Sequence, residues 1–599
     1  METLFADFLK EKLVDKSYVL ADGALGTYFS KLYGTGVDKC ELSNIDAPEN
    51  IKRIHRDYIE AGAQIIRTNT FAANTVSLKA SLCTVTKIIR AGFRLASDVA
   101  NGNNVYVFAD IGPIPDTENH DSLSEYKAIV DTFFEAGAKN FIFETFGSFD
   151  ILLEVCRYIK SRDRNAFVLA QFAISPDGLT RKGVSGKRII DVVGSSDVVD
   201  ALGFNCASGP VHLLEYIKNL EAEKRSLISS IMPNAGYPSV QNERTIYQDN
   251  PEYFAGIMSD IKNLGIKILG GCCGTTPRHI AETRRILENV KKEFVYQVSN
   301  KKQEKQQQFP MNIFREKLEN GEMPVAVEFD PPASINISDL IEGAKSLKDC
   351  GADIITVADN PFAKARIDSS IYASKIKREA GIDTLPHLTC RDKNLNAIKA
   401  LLLGLHIEGI RNILAVTGDP IPDAEKSHIK GVFNFNSYML INFIRELNYS
   451  EFSGDEIFIG AALNVNAENF DAELKRAEIK IRQGARFFLT QPVFSPKAVE
   501  ALRKAKESLN AKILGGILPI VSSRNARFLS NEIPGISIPE HIIVQFEGKG
   551  RDDAEKTGIK IAVETWRDMM PYCDGAYLIT PFNRWKMICE IISRIKHLS

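Results

Sequence analysis

Short apolar runs alternate with helix-length amphipathic stretches along the chain. In the first half the runs fall at residues 18–21, 64–71, 104–112, 140–146, 167–174, 198–206, 226–232 and 267–271. Segments such as 49–62 and 148–161 lie between them, with apolar residues at helical spacing. Short buried runs alternating with helices predict a parallel sheet. Eight such units predict a closed (β/α)8 barrel. The second half repeats the period, with runs at 325–329, 353–358, 385–390, 412–417, 457–463, 487–490, 513–520 and 575–579. The two halves share little sequence, and a second barrel is expected. Between them stands SNKKQEKQQQFP, polar and rich in lysine and glutamine, which reads as a linker. The expected organisation is a first domain at 1–292, a linker at 293–310 and a second domain at 311–599. Residues 1–16 are amphipathic rather than signal-like and predict a first helix.

The barrel expectation places the chemistry at the carboxyl ends of the strands. Polar residues cluster there in the first half: Asp22 and Gly23, Thr68 to Phe71, Glu144 and Thr145, Cys206, Asn234, then Cys272 and Cys273. The adjacent cysteines lie in ILGGCCGTTPR, flanked by glycines. Neighbouring cysteines cannot easily bridge each other, because disulfide geometry resists so short a ring. A lone buried cysteine is usually a small core residue. A vicinal pair with a third cysteine on a nearby strand end instead suits a soft metal, usually zinc. Three protein ligands leave a fourth position open, the mark of a catalytic site. A thiol entering that position loses its proton well below its free pKa of ~8.5. The implied reaction is alkyl transfer to a thiol.

Composition narrows the class without changing this picture. The chain has 599 residues, too many for one core. Apolar content of 44% and charged content of 25% are ordinary for a globular protein. A net charge of -2 gives no reason to expect nucleic acid or an anionic membrane as partner. No apolar run approaches a transmembrane span. Ten cysteines are too few for a disulfide scaffold and favour reduced thiols in a cytoplasmic protein.

DGALGT (22–27), RTNTF (67–71), ETF (144–146), GFNC (203–206) and GGCCGTTP (270–277) resemble the zinc-dependent homocysteine S-methyltransferase family, over about residues 10–290. The resemblance implies that Cys206, Cys272 and Cys273 hold zinc and that homocysteine sulfur completes the shell. It also implies that Asp22, Gly23, Thr68 and Glu144 fix the amino-acid part of homocysteine. Asp22 and Glu144 are carboxylates able to hold an ammonium.

In the second half, Glu328 stands inside an apolar strand, in PVAVEFDPP. Burial raises a carboxyl pKa and suits it to proton transfer near neutral pH. PHLTC brings His387 to another strand end, TGDP brings Asp419, and TQP brings Gln491. With TVAD (356–359), LTQPVF (489–494), GILPI (516–520) and TPFNR (580–584), these motifs resemble methylenetetrahydrofolate reductase over about 311–599. The resemblance implies FAD, with NAD(P)H as co-substrate. It makes Glu328 the general acid that opens the folate five-membered ring, and sets Asp419 beside the flavin, adjusting its electronics. Gln491 would bind the pterin. Thr356, His387, Gly418 and Lys480 would contact flavin. Two positions depart from relatives: AALNVN (461–466) lacks their aromatic and Pro-Glu, and Leu529, with Phe528 beside it, stands where a substrate-stacking phenylalanine is found.

The joint expectation is a two-activity enzyme of one-carbon and methionine metabolism, acting on homocysteine, folate and a methyl donor. Methyl-folate is a poor donor, and no cobalamin-binding domain or third barrel is visible. An activated sulfonium such as S-methylmethionine is an alternative donor, and the choice between it, methyl-folate and another donor stays open. A rival reading keeps only the reductase half catalytic and makes the zinc-thiolate barrel a thiol-sensing or carrier module. The oligomeric state stays open, a homo-oligomer included.

Overall fold

A computed structural model describes residues 5, 7–9, 17–34, 40–117, 120–236, 239–241, 244–246, 249–289, 311–421, 430–533 and 536–598. The expected linker, 293–310, lies outside the described residues. The chain divides into two compact units, 1–303 and 304–599.

The first unit holds β1 (Val19–Leu20), β2 (Ile65–Arg67), β3 (Tyr106–Ile111), β4 (Asn140–Phe146), β5 (Phe167–Phe172), β6 (Ala201–Asn205), β7 (Ile228–Met232), a hairpin of β8 (Ser239–Gln241) and β9 (Arg244–Ile246), and β10 (Ile268–Leu269). The eight parallel strands run in the order β1-β10-β7-β6-β5-β4-β3-β2. A parallel bridge between Ala21 and Ile65 brings the last strand back to the first. The antiparallel hairpin between β7 and β10 is an addition to the expected pattern. Strands such as β5, FVLAQF, are buried along their whole length, because helices cover one face and the barrel interior the other.

The second unit is a closed barrel of β11 (Val325–Glu328), β12 (Ile354–Val357), β13 (Asp383–Thr389), β14 (Asn412–Val416), β15 (Phe458–Leu463), β16 (Phe487–Pro492), β17 (Lys512–Ile517) and β18 (Gly575–Ile579). Both barrels match the (β/α)8 expectation. Side-chain caps start many helices; Asn394 Oδ1 accepts from Ala397 N–H at 2.9 Å to open Leu395–Ile407.

Each barrel is stoppered at its base by the helix before its first strand. In the first unit, Phe5 and Leu9 are buried among Phe108, Ile142, Phe167 and Leu169. Phe5 meets Phe108 edge-on at 4.9 Å between ring centroids. Phe5 and residues 7–9 are helical; the rest of the expected first helix lies outside the described residues. In the second unit, Phe314 and Leu318 of helix Ile313–Glu319 fill the same role against Leu385, Leu414, Phe458 and Phe487. A barrel interior is a packed core, so each floor is closed to water.

One expectation needs correction. Cys350 and Cys589 are joined as a disulfide, so the thiols are not all reduced. Packing of helix Ser338–Asp349 against helix Trp585–Lys596 brings their Cα atoms to 5.4 Å. Among the described residues no helix is long and apolar enough to cross a membrane.

Candidate functional site

The three cysteines of the first barrel converge. Their sulfurs all lie within 4.8 Å of one another, with Cys206 Sγ and Cys273 Sγ 3.8 Å apart. Cys206 follows β6 in a left-handed conformation, φ 54°, which turns the chain at the strand end. Backbone bonds fix the loops: Cys206 N–H donates to Met232 O at 3.1 Å, Cys272 N–H to Pro233 O at 2.8 Å, and Ala235 N–H to Cys273 O at 2.9 Å. The glycines around the pair are needed for close approach. A Cβ on Gly271 would stand 2.4 Å from Thr275 Oγ1. Hydrogen bonds from Cys272 and Cys273 pull the Cys206 thiol down, and Cys272 is pushed up in exchange.

Beside the sulfurs lies a buried ionic cluster that the residues alone did not reveal. Arg67, inside the apolar run of β2, donates from Nε to Asp22 Oδ1 at 2.6 Å and from Nη1 to Glu144 Oε1. Its Nη2 reaches Gly23 O at 2.6 Å and Gly271 O at 2.9 Å. Asp22 and Glu144 are thus brought together through Arg67. A third carboxylate, Asp110 at the end of β3, is buried with Oδ1 lacking a hydrogen-bond partner. Burial, then the charge of Glu144, holds Asp110 well above the usual carboxylate range. Burial lifts Asp22 to about 6 against the pull of Arg67. Asp22 and Glu144 share one guanidinium, so the cluster suits an added cation. Thr68 is buried, its Oγ1 2.6 Å from Thr70 Oγ1 and accepting from Asp110 N–H at 2.9 Å. Gly23 leaves no room for a side chain, since a Cβ would meet Thr275 Oγ1 at 2.6 Å and Tyr58 Oη at 2.8 Å. A charged residue inside a buried strand was the signal for Arg67 and Asp110.

The second barrel opens at its carboxyl end into a cavity of about 690 Å³. Glu328, His387, Gly418, Asp419, Gln491 and Leu529 all line it. Thr356 and Lys480 do not: Thr356 is fully buried on β12, and Lys480 Nζ donates to Ala462 O at 2.7 Å behind the wall. Burial, then the neighbouring charge of Asp330, pushes the Glu328 carboxyl up to about 8; a hydrogen bond from the Tyr577 hydroxyl opposes the rise. His387 Nε2 lies 3.9 Å from Glu328 Oε2 and has no hydrogen-bond partner. Burial takes that imidazole down to about 4, so it is neutral. Asp419 Oδ2 accepts from Phe362 N–H at 2.7 Å, which ties the loop after β12 to the loop after β14. Gly418 has φ 92°, a conformation that glycine takes without cost. Tyr577 and Asp330 were not singled out from sequence, although Asp330 sits inside EFDPP.

Fold and sites together define a tandem (β/α)8 protein with a trithiol centre on one barrel and a buried acid on the other. Residues 19–287 match the family model for homocysteine S-methyltransferase, and residues 313–596 match that for methylenetetrahydrofolate reductase. The chain joins a domain of the first family to a domain of the second. It is 30% identical over 310 residues to methionine synthase of Mycobacterium tuberculosis, covering 47% of this chain and 25% of that protein. The methionine synthase of Mycobacterium leprae is 28% identical over 295 residues, covering 44% and 24%. The chain thus spans about a quarter of the length of these relatives. Among solved structures, the homocysteine methyltransferase MmuM of Escherichia coli, in oxidized form, aligns with 46% of this chain and 99% of its own at 20% identity and a TM-score of 0.38. Its metallated form gives 0.37.

Proposed function

We propose that the first barrel methylates homocysteine and the second reduces 5,10-methylenetetrahydrofolate to 5-methyltetrahydrofolate. The convergence of three cysteine sulfurs on one barrel rim carries the first half of this reading. Three soft donors at mutual distances below 4.8 Å fit zinc and leave room for one incoming thiol. Zinc, when bound, holds that thiol as a nucleophilic thiolate. Asp22, Gly23, Thr68 and Glu144 take the amino-acid end of homocysteine, and the excess negative charge around Arg67 attracts its ammonium. The donor is a sulfonium such as S-methylmethionine, whose leaving group departs neutral.

In the second barrel, His387, Gly418 and Asp419 line a cavity that fits part of a flavin, and the unpartnered His387 Nε2 awaits a polar ligand atom. FAD, when bound, carries electron pairs from NAD(P)H to the folate. Thr356 and Lys480 support the wall from behind. Gln491 and Leu529 hold the folate. Glu328, protonated at neutral pH, gives its proton to the ring nitrogen as the five-membered ring opens. The two activities act in the cytoplasm, in domains bounded at 1–292 and 311–599.

A donor screen on zinc-loaded protein tests the reading, with flavin absorbance recorded on the same sample. Methionine formed from S-methylmethionine, and NAD(P)H oxidised with methylene-folate, are the expected results. Methylation from methyl-folate by this chain alone would overturn the donor assignment.

A further inference from the structure

Glu328 ends β11, and β18 runs beside it in parallel register, Glu328 opposite Ile579 and Ala326 opposite Tyr577. Tyr577 therefore sits two residues deeper in the barrel than Glu328, on the neighbouring strand. Strand side chains alternate, so both residues point to the interior. Tyr577 is buried in the interior cluster with Phe314 and Leu385. From there its hydroxyl reaches up and donates to Glu328 Oε2. His387 Nε2, from β13, approaches the same oxygen at 3.9 Å. The Tyr577 hydroxyl, from the neighbouring strand, and His387, from β13, thus converge on one oxygen.

We propose that Tyr577 is a positioning residue of the reductase: by occupying Oε2 of Glu328 from the barrel floor, it assigns the transferable proton to Oε1. This rests on the reductase reading given above. When the folate ring opens, the Oε1–H bond breaks and an N–H bond forms on the ring nitrogen. The electron pair of the breaking C–N bond stays on that nitrogen, and the positive charge passes to the iminium carbon left behind. Glu328 becomes a carboxylate, which the Tyr577 hydroxyl then stabilises through a charge-assisted hydrogen bond. The charged and titratable groups around this carboxyl are Asp330 on its own loop, Tyr577 from β18 and His387 from β13. Arg366 faces Asp330, and Asp359 and Asp419 line the same cavity.

Tyr577→Phe in the full-length flavoprotein tests the assignment, since phenylalanine keeps the packing and removes only the donor. Methylene-folate reduction should fall about tenfold or more, the scale of one hydrogen bond to a charged group. Its alkaline limb should move to higher pH, because the lost donor favoured the carboxylate. NAD(P)H–menadione turnover and FAD content should stay at the wild-type level. Unchanged folate kinetics with an unchanged pH profile would overturn the proposal. So would an equal fall in folate and menadione turnover, which would mark Tyr577 as structural. A wild-type protein inert toward methylene-folate would instead defeat the reductase reading itself.

Discussion

Cys206 Sγ and Cys273 Sγ stand 3.8 Å apart although 67 residues separate them in the chain. β6 and β10 each flank β7, so their carboxyl ends meet on one arc of the rim. Replacing Cys272 with serine removes one donor from the cage. Zinc content measured by atomic absorption should fall to background and thiol methylation should vanish, while menadione reduction by NAD(P)H persists.

Among the described residues, Arg67 is the only cation paired with both Asp22 and Glu144. Arg67→Met leaves two buried carboxylates without their partner. Breaking a buried pair on one side costs about 3–5 kcal/mol. Denaturant unfolding of the first barrel should show that loss, and homocysteine saturation should weaken. Lysine should not rescue, because one ammonium cannot reproduce the forked contacts to Asp22, Glu144 and Gly23.

Asp110 carries a buried oxygen without a partner, and its folded pKa is raised. A raised carboxyl supports the fold only while protonated, and that support is lost as pH climbs from its unfolded value toward its folded one. Asp110→Asn should therefore be more stable at neutral pH, because it removes the cost of a carboxyl that must keep its proton in the fold. The gain should disappear near pH ~4, where the unfolded carboxyl also holds its proton. Thermal unfolding across pH measures this.

Glu328 titrates at about 8, so it holds its proton at neutral pH. Methylene-folate reduction should decline as pH rises through that value, while flavin reduction by NAD(P)H should not follow the same limb. Glu328→Gln should abolish folate turnover and spare menadione turnover.

Phe314 is buried at 1% exposure and contacts Phe487 edge-on at 5.5 Å. Phe314→Ala opens a cavity under the second barrel and should cost about 3–5 kcal/mol in urea unfolding.

The strands of both barrels were legible because a parallel sheet buries both faces, so each strand reads as an unbroken apolar run. The cysteines were legible because two adjacent thiols between glycines have few other uses. The hairpin of β8 and β9 was not, since three-residue strands leave no period to read. The roles of Arg67 and Asp110 are harder to read, because each is a single charge within an otherwise apolar run. Their meaning depends on partners from β1 and β4 that only the closed barrel brings near. Tyr577 was hidden for the same reason: an aromatic residue in a buried strand looks like packing until its hydroxyl is seen to meet Glu328.

The stoppers have a practical consequence for anyone dividing this polypeptide. The first matched family region opens at residue 19, downstream of Phe5 and Leu9. A fragment trimmed to that limit would expose Phe108 and Phe167 to solvent from beneath, and a reductase fragment begun at Val325 would do the same to Phe458 and Phe487. The natural cutting points lie ahead of those short helices, not at the strands they serve.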